Sequence, residues 1–137
     1  MYAAIFDLGY SPGIAEKPPT VSPDNKSASV PEPVFSALAL AKSNDSFVFI
    51  DFYAEWCAAC KVLKSRTLES PQVLSALERY VVLNVDTDLY EEAAAFYNVV
   101  GMPTLLILNA AGEEVYRSVG LVEADDLALK LQRLVVK

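Results

Sequence analysis

Cys57-Ala58-Ala59-Cys60 holds the only two cysteines of the 137-residue chain, three positions apart. The run before them, Phe47 to Tyr53, is apolar and rich in Phe, Val and Ile. The run after them, Lys61 to Leu68, suits a helix. The pair therefore falls where a buried strand turns into a helix. The first N–H groups of a helix have no intrahelical partner and carry partial positive charge, which stabilises a thiolate there. A thiolate is the reactive form of cysteine, and one member of a C-x-x-C pair has a pKa lowered to roughly 3.5–7.5. With the second thiol one helical turn away, Cys57 attacks and Cys60 resolves. The chemistry expected is dithiol–disulfide exchange.

Composition removes competing chemistries. The chain has no histidine, so Cys–His and Ser–His–Asp nucleophilic sites are excluded. Two cysteines without histidine cannot build the usual closed zinc site within one chain. A structural disulfide across so short a loop would constrain little chain entropy. The net charge of −7 argues against a nucleic-acid partner, and an apolar fraction of 53% is enough for one domain's core. No apolar run approaches the ~20 residues that span a bilayer. Met1 to Leu8 lacks a basic n-region and is interrupted by Asp7, which makes a poor secretory signal.

The elements that must position the cysteines follow in order. Residues 1–30, punctuated by proline, read as a flexible arm or linker, although Met1 to Tyr10 could dock or form a short strand. Residues 31–137 form the folded domain. Pro33 to Lys42 is expected as a helix with Phe35, Leu38 and Lys42 near one face, ended by Asn44-Asp45-Ser46. Phe47 to Tyr53 is a central strand covered on both faces. Ser70 as N-cap and Pro71 at the first helical position open a short helix to Glu78. Tyr80 to Val85 is a strand, and Asp88-Leu-Tyr-Glu91 has the spacing of a reciprocal cap, opening a helix to about Tyr97. Pro103 to Asn109 and Glu113 to Val119 form a hairpin around Ala110-Ala-Gly112. Glu123 to Val135 is the last helix, with Leu127, Leu131 and Leu134 on one face. Alternation predicts a parallel core, and the hairpin makes the last pairing antiparallel.

Asp51-Phe-Tyr-Ala-Glu-Trp-Cys-Ala-Ala-Cys-Lys61 resembles the active site of the thioredoxin superfamily, and Gly101-Met-Pro-Thr-Leu-Leu-Ile-Leu108 resembles its cis-proline loop and following strand. Together with Thr67-Leu-Glu-Ser-Pro-Gln-Val-Leu74, the likeness is greatest to the C-terminal thioredoxin-like domains of DsbD-type thiol:disulfide interchange proteins, over about Pro31 to Leu134. It implies an α/β thioredoxin fold, a mixed central sheet with helices on both faces. A clear first strand is missing; Lys26 to Val30 is the weak candidate.

A carboxylate in a strand of Phe, Val, Ile and Tyr is costly when charged, so the Asp51 pKa should rise unless its side chain meets water at a strand edge. The resemblance implies that Asp51 lies beneath Cys60 and takes its proton. It further implies that Pro103 is cis, that the loop faces the cysteines, and that the Met102 backbone pairs with an extended substrate segment. Trp56 is both a packing residue and part of that docking surface. Glu55, Tyr53 and Tyr97 read as scaffold. Relatives of the DsbD type can carry a second acid where this chain has Lys64. A cation there, or Lys61 beside Cys60, would lower thiol pKa values; the alternative is a solvated helix residue.

Alanine at both intervening positions supplies no cation, which favours a mild or reducing potential over a strong oxidant. The expected function is a protein-disulfide reductase or electron relay that uses no metal or organic cofactor. Its partners are protein disulfides and dithiols, with another thiol protein or a membrane domain as electron donor, and the chain is expected as a monomer. The DsbD likeness implies the periplasm; without it the cytoplasm is expected. The same chemistry run as an oxidase or isomerase, and a non-enzymatic binding or chaperone module, remain the alternatives.

Overall fold

Strand β1, Phe47–Tyr53, lies at the centre of a four-stranded sheet of order β2-β1-β3-β4. The computed structural model describes residues 30–136. The expected arm, the docking of Met1 to Tyr10 and nearly all of the Lys26 to Val30 strand lie outside the described residues. Helix α1 spans Val34–Asn44 and α2 spans Ala58–Leu63, continued by a π-helical turn over Lys64–Leu68. Then come α3 (Pro71–Leu77), β2 (Tyr80–Asp86), α4 (Glu91–Phe96), β3 (Thr104–Leu108), β4 (Glu114–Val119) and α5 (Ala124–Val135).

Period-two alternation along β1 divides its side chains between two cores. Val48, Ile50 and Phe52 meet Val34, Ala37 and Ala41 of α1 and Ala93 of α4 on one face. Phe49 meets Leu63 of α2, Val73 and Leu77 of α3, and Leu127 and Leu131 of α5 on the other. Helices thus cover both faces, as expected for a strand without a polar side. The inward face of α1 is a correction: Phe35 is exposed, and the small residues Ala37 and Ala41 let the helix approach the strands closely. Asp45, in the left-handed conformation, ends α1.

The pairing of β1 with β2 is parallel, in register from Phe47↔Tyr80 to Tyr53↔Asp86. The sheet departs from a parallel core beyond that pair, because β3 runs antiparallel to β1 with Phe52 opposite Thr104. The connection from β2 to β3 carries the six-residue helix α4 and returns the chain to the edge of the sheet at which β2 ends. The chain re-enters where it left, which brings Met102 and Pro103 beside the C-terminal end of β1. The hairpin to β4 is antiparallel as expected, and Gly112 at φ 90° supplies a backbone conformation that a side chain would strain.

Candidate active site

The polypeptide leaves β1 at Tyr53, turns through Ala54–Trp56 and enters α2 with Cys57 as its N-cap. Cys57 has extended backbone angles and accepts the Cys60 backbone N–H on Sγ at 3.0 Å. Its own N–H is held by the Ala54 carbonyl at 3.1 Å. The two cysteines are disulfide-bonded, with Cα atoms 5.2 Å apart. Both are buried, packed with Ala54 and against Tyr53, Ala59 and Met102. Exposure therefore does not separate them; position does. Cys57 Sγ receives a helix-end N–H that would stabilise a thiolate on reduction, whereas Cys60 sits inside the first turn.

Asp51 lies on the same face of β1 as Phe49, the face that α2 covers. It is 9% exposed, so the strand-edge alternative does not hold, and its Oδ1 has no hydrogen-bond partner among the described residues. Burial pushes its pKa up to about 6, with the Lys64 ammonium pulling it partly back. Asp51 and Cys60 line one cleft of about 450 Å³, between the β1–β2 surface and the α2–α3 region.

The Met102–Pro103 peptide is cis, and Met102 contacts the cysteine cluster. Two hydrogen bonds fix this loop to its surroundings. Thr104 Oγ1 donates to the Gly101 carbonyl at 2.6 Å, and the Gly120 N–H donates to the Pro103 carbonyl at 2.8 Å. Trp56 is largely exposed, at 68%, and its indole N–H donates to Asp88 Oδ2 at 2.9 Å. That bond corrects the expected cap: α4 starts at Glu91 with Tyr90 as N-cap and no side-chain cap bond, because the Asp88 carboxylate is turned to the indole instead. Ser70 does occupy the N-cap position of α3, but its hydroxyl donates to the Thr67 carbonyl and does not cap the helix.

Thr87 and Asp88 are site-lining residues that the motifs alone did not indicate. Thr87 Oγ1 lies 3.1 Å from both the Tyr53 carbonyl oxygen and Met102 Sδ, which share its one hydroxyl proton. The signal was available in the strand pairing: parallel strands end at the same edge, so the Asp-Thr-Asp run closing β2 must lie beside the residues closing β1. The expected all-α run after Cys60 also changes: Lys64–Leu68 is a π turn, a feature that often marks functional sites. Its Thr67 is buried and donates to the Val122 carbonyl at 2.7 Å. Among the described residues no group of three or more His, Cys, Asp or Glu side chains could hold a metal ion. No described helix is long and apolar enough to cross a membrane.

Residues 33–133 match the thioredoxin family model. The chain is 32% identical over 136 residues to the thiol:disulfide interchange protein DsbD 1 of Pseudomonas aeruginosa, covering 94% of this chain and 23% of that protein. Curated relatives from Vibrio cholerae and Synechococcus elongatus are likewise matched over 14% and 50% of their lengths, so the chain spans half or less of each. Its structure resembles that of a thioredoxin from Thermus thermophilus, with TM-score 0.67, 34% identity, and 77% of this chain and 85% of that one covered. It also resembles the C-terminal domain of Neisseria meningitidis DsbD in the reduced form, with TM-score 0.62, 25% identity, and 73% and 92% covered. A thioredoxin fold carrying a Cys-x-x-Cys pair, similar to proteins named for thiol:disulfide interchange, places the chain in the thioredoxin family.

Proposed function

We propose that this chain is a protein-disulfide reductase that relays electrons to partner disulfides through Cys57 and Cys60. The observation that carries the reading is the Cys57–Cys60 pair at the entry to α2, whose Cys60 lines one cleft with a buried carboxyl, Asp51, that has no partner for Oδ1 among the described residues. In the reduced chain, Cys57 thiolate attacks one sulfur of a partner disulfide. A mixed disulfide forms, and the other partner sulfur leaves as a thiolate that takes a proton from water. Cys60 then gives its proton to the Asp51 carboxylate and attacks Cys57 Sγ. The Cys57–Cys60 bond forms as the mixed disulfide breaks, and the partner departs reduced by two electrons.

Trp56, Met102 and Pro103 form the surface on which an extended partner segment docks, with Met102 offering backbone hydrogen bonds in the manner of an added strand. The electrons travel in the cysteines, so neither a metal nor an organic cofactor enters this scheme. Likeness to DsbD supports a periplasmic setting and re-reduction by another thiol protein or a membrane electron-donor domain; in this scheme the domain acts as a monomer.

The first test is the equilibrium potential of the pair against a glutathione or dithiothreitol series. A value near about −270 mV, that of thioredoxin, fits a reductant; one near about −120 mV, that of DsbA, reverses the direction to an oxidase. The second is Cys60→Ser, which should trap partners as mixed disulfides. Cys57→Ser should lose exchange altogether; a variant that kept it would remove the enzymatic reading.

A further inference from the structure

The proton that Asp51 accepts must leave again, and Asp51 is almost fully buried. The cleft beneath Cys60 offers a way out. Its apolar lining comes from Phe49, Leu77 and Val82 and from the half-exposed Leu74, with the exposed Asn84 of β2 beside them. At about 450 Å³ it exceeds many times the ~30 Å³ share of one water. The charged and titratable groups that line it are few. Strand β1 contributes Tyr53 besides Asp51, and the turn contributes Glu55. Helix α2 contributes Cys60 and Lys61, and the π turn with its following residue contributes Lys64 and Glu69. The α3 and β2 residues of the lining carry no charge.

Lys64 stands four residues after Cys60, hence on the same side of the helix, above the same strand. Its ammonium lies 3.7 Å from Glu69 Oε2, with both side chains more than half exposed. An ion pair that open to water contributes about 0–1 kcal/mol, so it leaves the Lys64 charge available to the cleft. Asp51 lines this cleft, and its Oδ1 is buried without a hydrogen-bond partner among the described residues.

We propose that this cleft is the proton exit of the resolving step, and that Lys64 at its mouth is the positioning residue that keeps Asp51 an effective proton acceptor for Cys60, with Glu69 as the opposing charge. The inference rests on the base role of Asp51 stated above. In the step itself, Cys60 S–H loses its proton to the carboxylate as its sulfur bonds Cys57, and Asp51 then returns the proton to water in the cleft. A cation near the carboxylate favours the ionised form that must be present at the start. An anion at Glu69 opposes that, both directly and by drawing Lys64 away.

The two neighbours must therefore act in opposite directions. The test titrates the Asp51 side-chain carboxyl by carbon-13 NMR in the full oxidised chain, and follows the pH dependence of single-turnover reduction of a synthetic peptide disulfide by the reduced chain. Cys60→Ser serves as the control that reports Cys57 attack alone. Lys64→Gln should raise the Asp51 midpoint and the acidic limb of the resolving step by roughly half a pH unit. Glu69→Gln should lower both. Neither variant should move the Cys60→Ser profile. Midpoints that stay put, or that shift in the same direction in both variants, overturn the assignment. Asp51→Asn separates the two layers of the argument. If it leaves the acidic limb in place, the base role fails and the proposal with it. If it removes the limb while Lys64→Gln leaves the carboxyl midpoint unmoved, the base role stands and Lys64 is a solvated helix residue.

Discussion

Trp56 and Asp88, 32 residues apart in sequence, are joined by an indole N–H to carboxylate hydrogen bond of 2.9 Å. The bond ties the turn before Cys57 to the loop that closes β2. It also holds a largely exposed ring in one place beside the cysteines. Asp88 is itself fixed by its backbone N–H, which donates to Asp86 Oδ1 at 2.9 Å. An exposed aromatic held in position presents contact area to a partner at lower entropic cost than a free one.

Asp88→Ala should free the indole. A hydrogen bond to a charged group contributes about 1.5–3 kcal/mol at most, less at an exposed site, so KM for a protein disulfide should rise roughly 3–10-fold. The rate with a small aromatic disulfide, which does not use the docking surface, should hold. Trp56 is the chain's one tryptophan, so its fluorescence anisotropy reports the loosening directly. Unchanged anisotropy, or equal losses on both substrates, would refute this role for the bond.

Asp51 makes a prediction about stability whose sign is opposite to that of a salt-bridged acid. Burial raises its folded pKa to about 6 from the ordinary 3.8, so the folded state binds its proton more tightly. Stability therefore falls as pH rises from about 4 to about 6 and stays reduced above that, by about 3 kcal/mol at most. Asp51→Asn should remove this dependence and stabilise the oxidised protein at pH 7.5 by about 1–3 kcal/mol, the amide's own desolvation taking back part of the gain. Urea unfolding of both proteins at pH 4 and pH 7.5 checks it. A wild-type midpoint no lower at pH 7.5 than at pH 4, relative to the variant, contradicts the argument.

How much of this was legible in the sequence depends on the range of the interaction. The strand–cysteine–helix order could be read because Phe47 to Tyr53 has no polar face and Lys61 to Leu68 has helical composition. The same run left Asp51 either buried or at a water-facing strand edge, and the resemblance favoured the buried reading that the structure shows. What failed was side-chain competition between distant segments. Asp88 has the spacing of a helix cap, yet its carboxylate meets Trp56, and no local pattern encodes a partner 32 residues away. Phe35 looked like core by hydrophobicity, but Ala37 and Ala41 face the strands because a helix packs closest through small residues. The antiparallel β3 was hidden because strand direction depends on which edge of the sheet the chain re-enters, and the connection from β2 is long enough to reach either.

Thr87→Val should uncouple the loop before Pro103 from the end of β1. It deletes the hydroxyl that bridges Tyr53 O and Met102 Sδ and keeps both the branched shape and the Thr87 backbone bond to Tyr53 O at 2.8 Å. The fold should lose no more than about 1 kcal/mol. Met102 should gain rotamer freedom, seen as a sharpened and shifted methyl resonance. KM for protein disulfides should rise a few-fold while the potential of the cysteine pair stays constant. A changed potential would place Thr87 in the redox chemistry and not in docking.

Tyr80→Phe probes the opposite end of the same strands. Tyr80 pairs with Phe47 where β1 begins, and its ring meets Phe49 edge-on at 6.4 Å between centroids. The hydroxyl donates to the Leu131 carbonyl at 2.7 Å inside the core of β1, α3 and α5. Burial holds its pKa far above the usual tyrosine value, so the phenol stays a donor throughout the accessible pH range. Phenylalanine keeps the ring packing and leaves the buried carbonyl without that donor, at a cost of about 1–2 kcal/mol. That loss should appear as a lower urea midpoint with an unaltered slope. Exchange with a peptide disulfide should be unchanged, since the substitution lies a strand's length from Cys57. A variant as stable as the parent would mean that water replaces the phenol at Leu131, and that the docking of α5 does not rely on this bond.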